Sequence, residues 1–177
     1  MRSKILIFLA LAFFTCFANA DNAITFSPGL PKPWIVSSSQ MVPGTNTVNG
    51  DTYAAQVTVL QDPTNLTMML ISVAPAAAVQ TTNNLTLEAR NWVHSVLSRF
   101  GETLRLTISR LELKTENKKT FAETVFTIQL QDTSFSGISR YEIANTNAIG
   151  WVAFGPNEGI ETNKAVLKIA GSVRLRK

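Results

Sequence analysis

From Leu85 to Gly101 the apolar residues Leu85, Ala89, Trp92, Val93, Val96, Leu97 and Phe100 recur at steps of three and four, while Arg90, Asn91, His94, Ser95 and Ser98 take the opposite side. That spacing predicts an amphipathic helix with one buried stripe. Thr86 is the expected N-cap, with Glu88 in the first turn, Arg99 in the last and Gly101 at a left-handed stop. The orientation sets Trp92, Val96 and Phe100 against a core and leaves His94 in solvent.

On either side of this helix the period changes to two. Tyr53, Ala55, Val57 and Val59 alternate with Thr52, Ala54, Gln56 and Thr58, as a half-buried strand requires. Leu66 to Ala74 is apolar on both faces, which predicts an interior strand closed by Pro75. After the helix, Leu104, Leu106 and Ile108 share one parity and Leu111 and Leu113 the other, so a bulge is expected near Ser109-Arg110. Alternation resumes at Ala122–Leu130, at Ser139–Ile143 and, two-sided again, at Ile149–Phe154. Turns are expected at Asn49-Gly50, Gln61–Asn65, Thr115–Lys119, Gln131–Gly137 and Asn145–Asn147. Ile160–Ala170 returns to helical spacing with Gly171 as its stop, and Ser172–Lys177 is a short tail suited to one edge pairing.

Residues 21–50 are rich in turn formers. Ile24–Phe26 fits a short strand, and the prolines at 28, 31 and 33 stiffen the approach to an anchoring Trp34. Val42–Asp51 and Ala76–Asn84 read as loops. The expected fold class is α+β: an antiparallel sheet of about six or seven strands with two principal helices packed on it, an α/β/α-type sandwich.

The N-terminus changes the chain's expected destination. Arg2 and Lys4 precede an apolar run that ends at Ala18-Asn19-Ala20, so residues 1–20 read as a cleaved secretory signal and residues 21–177 as a single domain. The short signal looks bacterial. Its apolar run falls short of the roughly 20 residues that span a bilayer, and no later stretch approaches that length, so the mature protein is expected to be soluble. Cys16 leaves a lipoprotein alternative open, although Phe13-Phe14-Thr15 lacks the small residue and leucine of a lipobox. If Cys16 leaves with the signal, the mature chain has no cysteine, hence no disulfide, thiolate nucleophile or cysteine metal site. Loss of Arg2 and Lys4 leaves 14 cations against 12 acids, a balance unlike that of a nucleic-acid binder.

Candidate chemistry is sparse. His94 is the single histidine and falls on the polar face of the helix, where a solvated histidine is the simpler reading. Glu112, Glu116 and Glu123 lie near one hairpin, where they could share an edge for acid and base work, although paired surface carboxylates are ordinary. No Gly-x-Ser-x-Gly elbow is present. Gly155 and Gly159 bracket a turn before a helix, where backbone N–H groups can hold an anion, although an ordinary strand-to-helix turn explains them. Asn65-Leu66-Thr67 and Asn84-Leu85-Thr86 fit the glycosylation sequon of a eukaryotic secretory pathway. Arg174, Arg176 and Lys177, with Lys114, Lys118 and Lys119 in a distant turn, offer basic patches for anionic lipid or an acidic partner.

Phe26 and Pro33-Trp34 near the start, Leu85-Thr86-Leu87-Glu88-Ala89 opening the helix, and Ile169, Ser172-Val173 and Leu175 near the end together span most of the mature chain. In this order of elements the chain resembles the PsbP-like superfamily, which includes photosystem extrinsic subunits, a Ran nucleotide-release factor and small bacterial envelope proteins. The resemblance implies an antiparallel sheet with packed helices and mostly non-catalytic roles in assembly or partner binding. It supplies no binding residue.

The expectation is therefore a non-enzymatic secreted or periplasmic envelope protein that binds a protein or envelope component through surface and loop residues. It has no catalytic, cofactor-binding or metal residues, takes no nucleic acid and has no transmembrane segment. A secreted factor acting on a host and a carboxylate-dependent hydrolase are the alternatives. The recognition segments would be Val42–Asp51, Ala76–Asn84 and the basic tail.

Overall fold

The computed structural model describes residues 24–27, 29–46, 49–99, 104–130, 132–156 and 159–175. The expected signal, Phe100, Gly101, Arg176 and Lys177 lie outside them. Nine strands run in the order β1 (Ile24–Phe26), β2 (Ile35–Thr45), β3 (Thr52–Asp62), β4 (Thr67–Pro75), β5 (Arg105–Glu116), β6 (Lys119–Leu130), β7 (Thr133–Ala144), β8 (Asn147–Gly155) and β9 (Val173–Leu175). A helical turn, Ala76–Val79, and the long helix, Leu85–Ser98, separate β4 from β5. A 3-10 turn, Ile160–Thr162, and the C-terminal helix, Lys164–Ser172, separate β8 from β9. The described chain is α+β and mostly strand.

Seven strands form one antiparallel sheet in the order β2-β3-β4-β8-β7-β6-β5, while β1 and β9 pair as a separate two-stranded sheet. Two meanders, β2 to β4 and β5 to β8, are joined edge to edge by β4 and β8. After β4 the chain must reach the far edge before returning strand by strand, and the long helix carries it there.

Each sheet face has its own core. The long helix contributes Val93 and Leu97 to a cluster with Val59, Leu70, Phe126 and Val152. The C-terminal helix contributes Val166 and Ile169 to a cluster with Leu60, Met69, Ile71 and Trp151 on the other side. Trp34 is buried in that second cluster, as its proline-stiffened approach predicts. β4 and β8 read as two-sided because they sit between the two clusters.

Local chemistry fixes the turns. Asp62 Oδ1 accepts from the Thr64 and Asn65 backbones at 2.9 and 3.1 Å, and its Oδ2 accepts from Asn65 Nδ2. Asn117 and Lys118 both take positive φ, as a two-residue hairpin needs. The bulge expected near Ser109-Arg110 is a register shift between Ile108 and Arg110. It returns Leu111 to the helix-covered side with Leu106 and Ile108, which explains the change of parity.

Several sequence expectations are corrected. Asn84, not Thr86, caps the long helix: its Oδ1 accepts from Thr86 N and Leu87 N, and Thr86 donates its hydroxyl to the same oxygen. Val42 to Thr45 belong to β2, because Pro43 and Gly44 are tolerated where one strand edge is free of a ladder; only the turn around Asn49-Gly50 remains a loop. Ala76–Val79 is helical rather than loop. Thr133 to Gly137 are strand, paired with β6 through Leu130↔Thr133 and Phe126↔Gly137. Gly171 lies inside the C-terminal helix, which Asn163 opens by accepting from Ala165 N and Val166 N. Trp92 and Val96 are half-buried rather than buried.

Leu97 is buried and His94 exposed. Leu97→Ala should therefore cost about 2–5 kcal/mol, against less than about 0.5 kcal/mol for His94→Ala. Chemical denaturation of the two variants measures both, and similar losses would contradict this helix orientation.

Candidate functional site

The long helix packs on β5, β6 and β7 and touches β8 less, so it lies off-centre on its face. A groove of about 370 Å³ opens between the helix and the β2–β4 half of the sheet. Its floor is low because small side chains meet there. Val57 pairs with Ser72, Ser72 with Gly150 and Gly150 with Tyr141, and Ala74 pairs with Ala148 one row further on. In the neighbouring row, Val59, Leu70 and Val152 rise into the core instead.

Trp92 forms one wall of the groove. A Cβ on Gly150 would stand 2.5 Å from the Trp92 ring, so the indole lies directly on β8 where only glycine admits it. The ring also meets Tyr141 at 6.1 Å between centroids with a 38° tilt. Burial pushes the Tyr141 phenol above its ordinary value, with Glu88 and Tyr53 adding to the rise, so it is a neutral hydroxyl at any physiological pH. Tyr53 lies across β2 over Gly44, where a Cβ would come within 2.4 Å of its ring.

Glu88 closes one end. It is buried, and its Oε1 accepts from Thr81 N, Thr81 Oγ1 and Thr82 N at 2.6, 2.8 and 2.6 Å. Through Oε1 this carboxylate ties the helix to the preceding loop. Sequence reasoning placed Glu88 in the first turn but missed its burial, which depends on where the Thr81-Thr82 backbone lies. Along the rim stand Asn91, His94, Ser95 and Arg99, the polar side of the predicted helix. Within the expected recognition segments, Val42 and Thr45 line the groove as strand residues and Val79 and Thr81 line its Glu88 end. Arg174 is elsewhere, holding Gly171 O and Val173 O.

The three candidate carboxylates lie on the opposite sheet face, away from the groove. Glu123 is 2% exposed and receives Lys114 Nζ at 2.6 Å, Arg140 Nε at 2.8 Å and Arg110 at 3.2 Å. Glu112 pairs with Arg110 and Lys114, and Glu116 with Arg140. Arg140 lies 4.3 Å above the Phe121 ring. Burial alone would raise the Glu123 carboxyl, but hydrogen bonds and charge from Lys114 and Arg140 hold it below its ordinary value. Glu123, in turn, raises Lys114 against a smaller burial effect. A general acid needs the reverse shift, so the trio forms an ion-pair network. Lys114 belongs to it and not to a free basic patch, and Lys119 sits 3.7 Å from Glu142.

Among the described residues, no three His, Cys, Asp or Glu side chains gather as a metal site, and no helix is long and apolar enough to cross a membrane. The element after Gly159 is a three-residue 3-10 turn, too short to supply the anion site considered for those glycines.

A solved structure, described as the solution structure of cyanobacterial PsbP (CyanoP) from Synechocystis sp. PCC 6803, superimposes with a TM-score of 0.55 over 92% of this chain and 98% of that one. The chain has the PsbP-like fold. At 9% identity the two proteins share a backbone plan and almost no side chains, so the PsbP-like scaffold is common while the groove's lining is this chain's own. No family model matches the sequence, and no curated protein matches it either.

Replacing Glu123 by Gln leaves three cations around a neutral group, which should cost about 1.5–3 kcal/mol near neutral pH. Because folding lowers the Glu123 pKa, its contribution is complete above the ordinary glutamate value of 4.5 and fades as pH falls through the folded value. The gap between wild type and Glu123→Gln in urea unfolding should narrow on acidification, and a gap independent of pH would contradict the ion-pair account.

Proposed function

We propose that this protein is an exported, non-enzymatic binding or assembly module whose partner docks in the groove beside the long helix. The observation that carries this reading is the groove itself: an open concavity with a small-residue floor, aromatic walls and a polar rim, of the size that holds a compact ligand group. Its buried acid is occupied by backbone donors and its phenol is held neutral. Such groups orient a ligand by shape and hydrogen bonds and are poor at moving protons. The PsbP-like fold agrees with a binding role, since a scaffold of this kind leaves recognition to the residues grafted on it. Secretion or periplasmic residence is part of the proposal and rests on residues 1–20.

Filling the floor tests the docking site. Ser72→Leu combined with Ala55→Leu places two larger side chains in the groove, and the variant should lose capture of the native envelope partner while retaining cooperative unfolding. Unchanged capture by the filled variant would move binding to another surface.

Export is tested separately. Intact mass of the secreted protein should show cleavage after Ala20, leaving Asp21 first. A diacylated species beginning at Cys16 would assign a lipoprotein instead.

A further inference from the structure

The cations around the groove are treated differently from those elsewhere on the sheet. Arg110, Lys114 and Arg140 are each paired with a carboxylate. Arg99 lines the groove, is exposed, and pairs with no carboxylate among the described residues, and His94 stands exposed on the same rim. Arg90 adds a second exposed cation on the outer side of the same helix. The helix's one acid, Glu88, is buried at the far end with its Oε1 held by Thr81 and Thr82. Among the described residues, the accessible rim therefore carries the Arg99 charge and no exposed acid, beside a largely apolar, small-residue floor.

The groove is also long. From Glu88 to Arg99 the helix advances roughly 16 Å at 1.5 Å per residue, the length of about five residues of extended chain. Its concavity excludes a flat bilayer from the floor formed by Ala55 and Ser72, whereas a single strand with side chains of alternating direction reaches floor and rim together.

We propose that the groove takes a short extended segment of a protein partner, with a bulky apolar side chain over Ala55 and Ser72, beside the Trp92 ring, and an Asp or Glu carboxylate against Arg99 on the rim that His94 shares. This rests on the docking reading above and specifies the ligand's chemistry. Trp92, Tyr53 and Tyr141 supply rigid walls for the apolar anchor, the arrangement typical of interface hot spots, and Arg99 supplies the preference for acid.

Random heptapeptides displayed on phage and panned on the intact exported protein supply the probe. The strongest binders are resynthesised with a fluorophore, alongside copies in which every Asp and Glu is replaced by Asn and Gln. Selected sequences should join an acid to a bulky apolar residue. Their affinity should fall about fivefold or more with the amide copies and with Arg99→Glu, and the acid preference should shrink as salt rises. Arg99→Lys should retain most of the affinity, and the Ser72→Leu, Ala55→Leu variant should bind none of the peptides. Acid-free binders, amide copies of equal affinity, an Arg99→Glu variant that binds normally, or no binders at all would overturn the proposal. Binding to phosphatidylglycerol vesicles through Arg99 without peptide binding would also overturn it and assign the cations to a membrane surface. If the filled groove loses envelope capture while Arg99→Glu keeps it, docking in the groove stands and only the acidic ligand is rejected.

Discussion

The pairing of β4 with β8 is the constraint on which the rest of the structure depends. Eight consecutive register pairs, from Met68↔Phe154 to Pro75↔Asn147, join two meanders that would otherwise be separate sheets. Met69, Leu70, Ile71, Val152, Ala153 and Phe154 are all buried, and alternate members point into opposite cores. Slipping this seam by one residue would exchange the two faces and strand both helices without partners. It also forces a long connection from the middle of the sheet to its far edge, and that connection is the long helix.

The groove follows from the path of that helix. Alanines at 89, 122 and 148 let the helix start close to β6 and β8, and Val93 and Leu97 then bind it over the C-terminal meander. The N-terminal meander is left partly uncovered on the same face. A sheet with large residues at 55 and 72 would fill this gap. The small ones present there leave it open, which removes some packing that the core would otherwise gain. Trp92 sits at the boundary, half in the core against Gly150 and Tyr141 and half in the groove.

Charge is divided between the faces in a way that separates structural from available groups. On one face Glu123 gathers Lys114, Arg110 and Arg140 into a network around a buried carboxylate. The network links β5, β6 and β7 through one carboxylate, and burial of Glu123 works against the stability its ion pairs add. Around the groove, the Oε1 of Glu88 is held by backbone donors and Arg99 is left facing solvent.

The sequence by itself determined the alternation of β3, β5, β6 and β7, the two-sided character of β4 and β8, the bulge at Ser109, the amphipathic helix, the anchoring Trp34 and the outward His94. Each depends on side-chain periodicity or turn chemistry within a few residues, which a linear pattern carries. The PsbP-like order of elements was legible for the same reason. Only the tertiary structure decided that Val42–Thr45 extend an edge strand, since a Pro-Gly pair is compatible with strand or loop until one free edge is known. It also decided that Asn84 rather than Thr86 caps the helix, two neighbours with equally suitable oxygens. The cross-strand row that puts Val57, Ser72 and Gly150 side by side joins residues far apart in the chain, and so does the network that neutralises Glu123. Register and the sideways offset of one helix set those contacts, and neither quantity is local to any stretch of sequence.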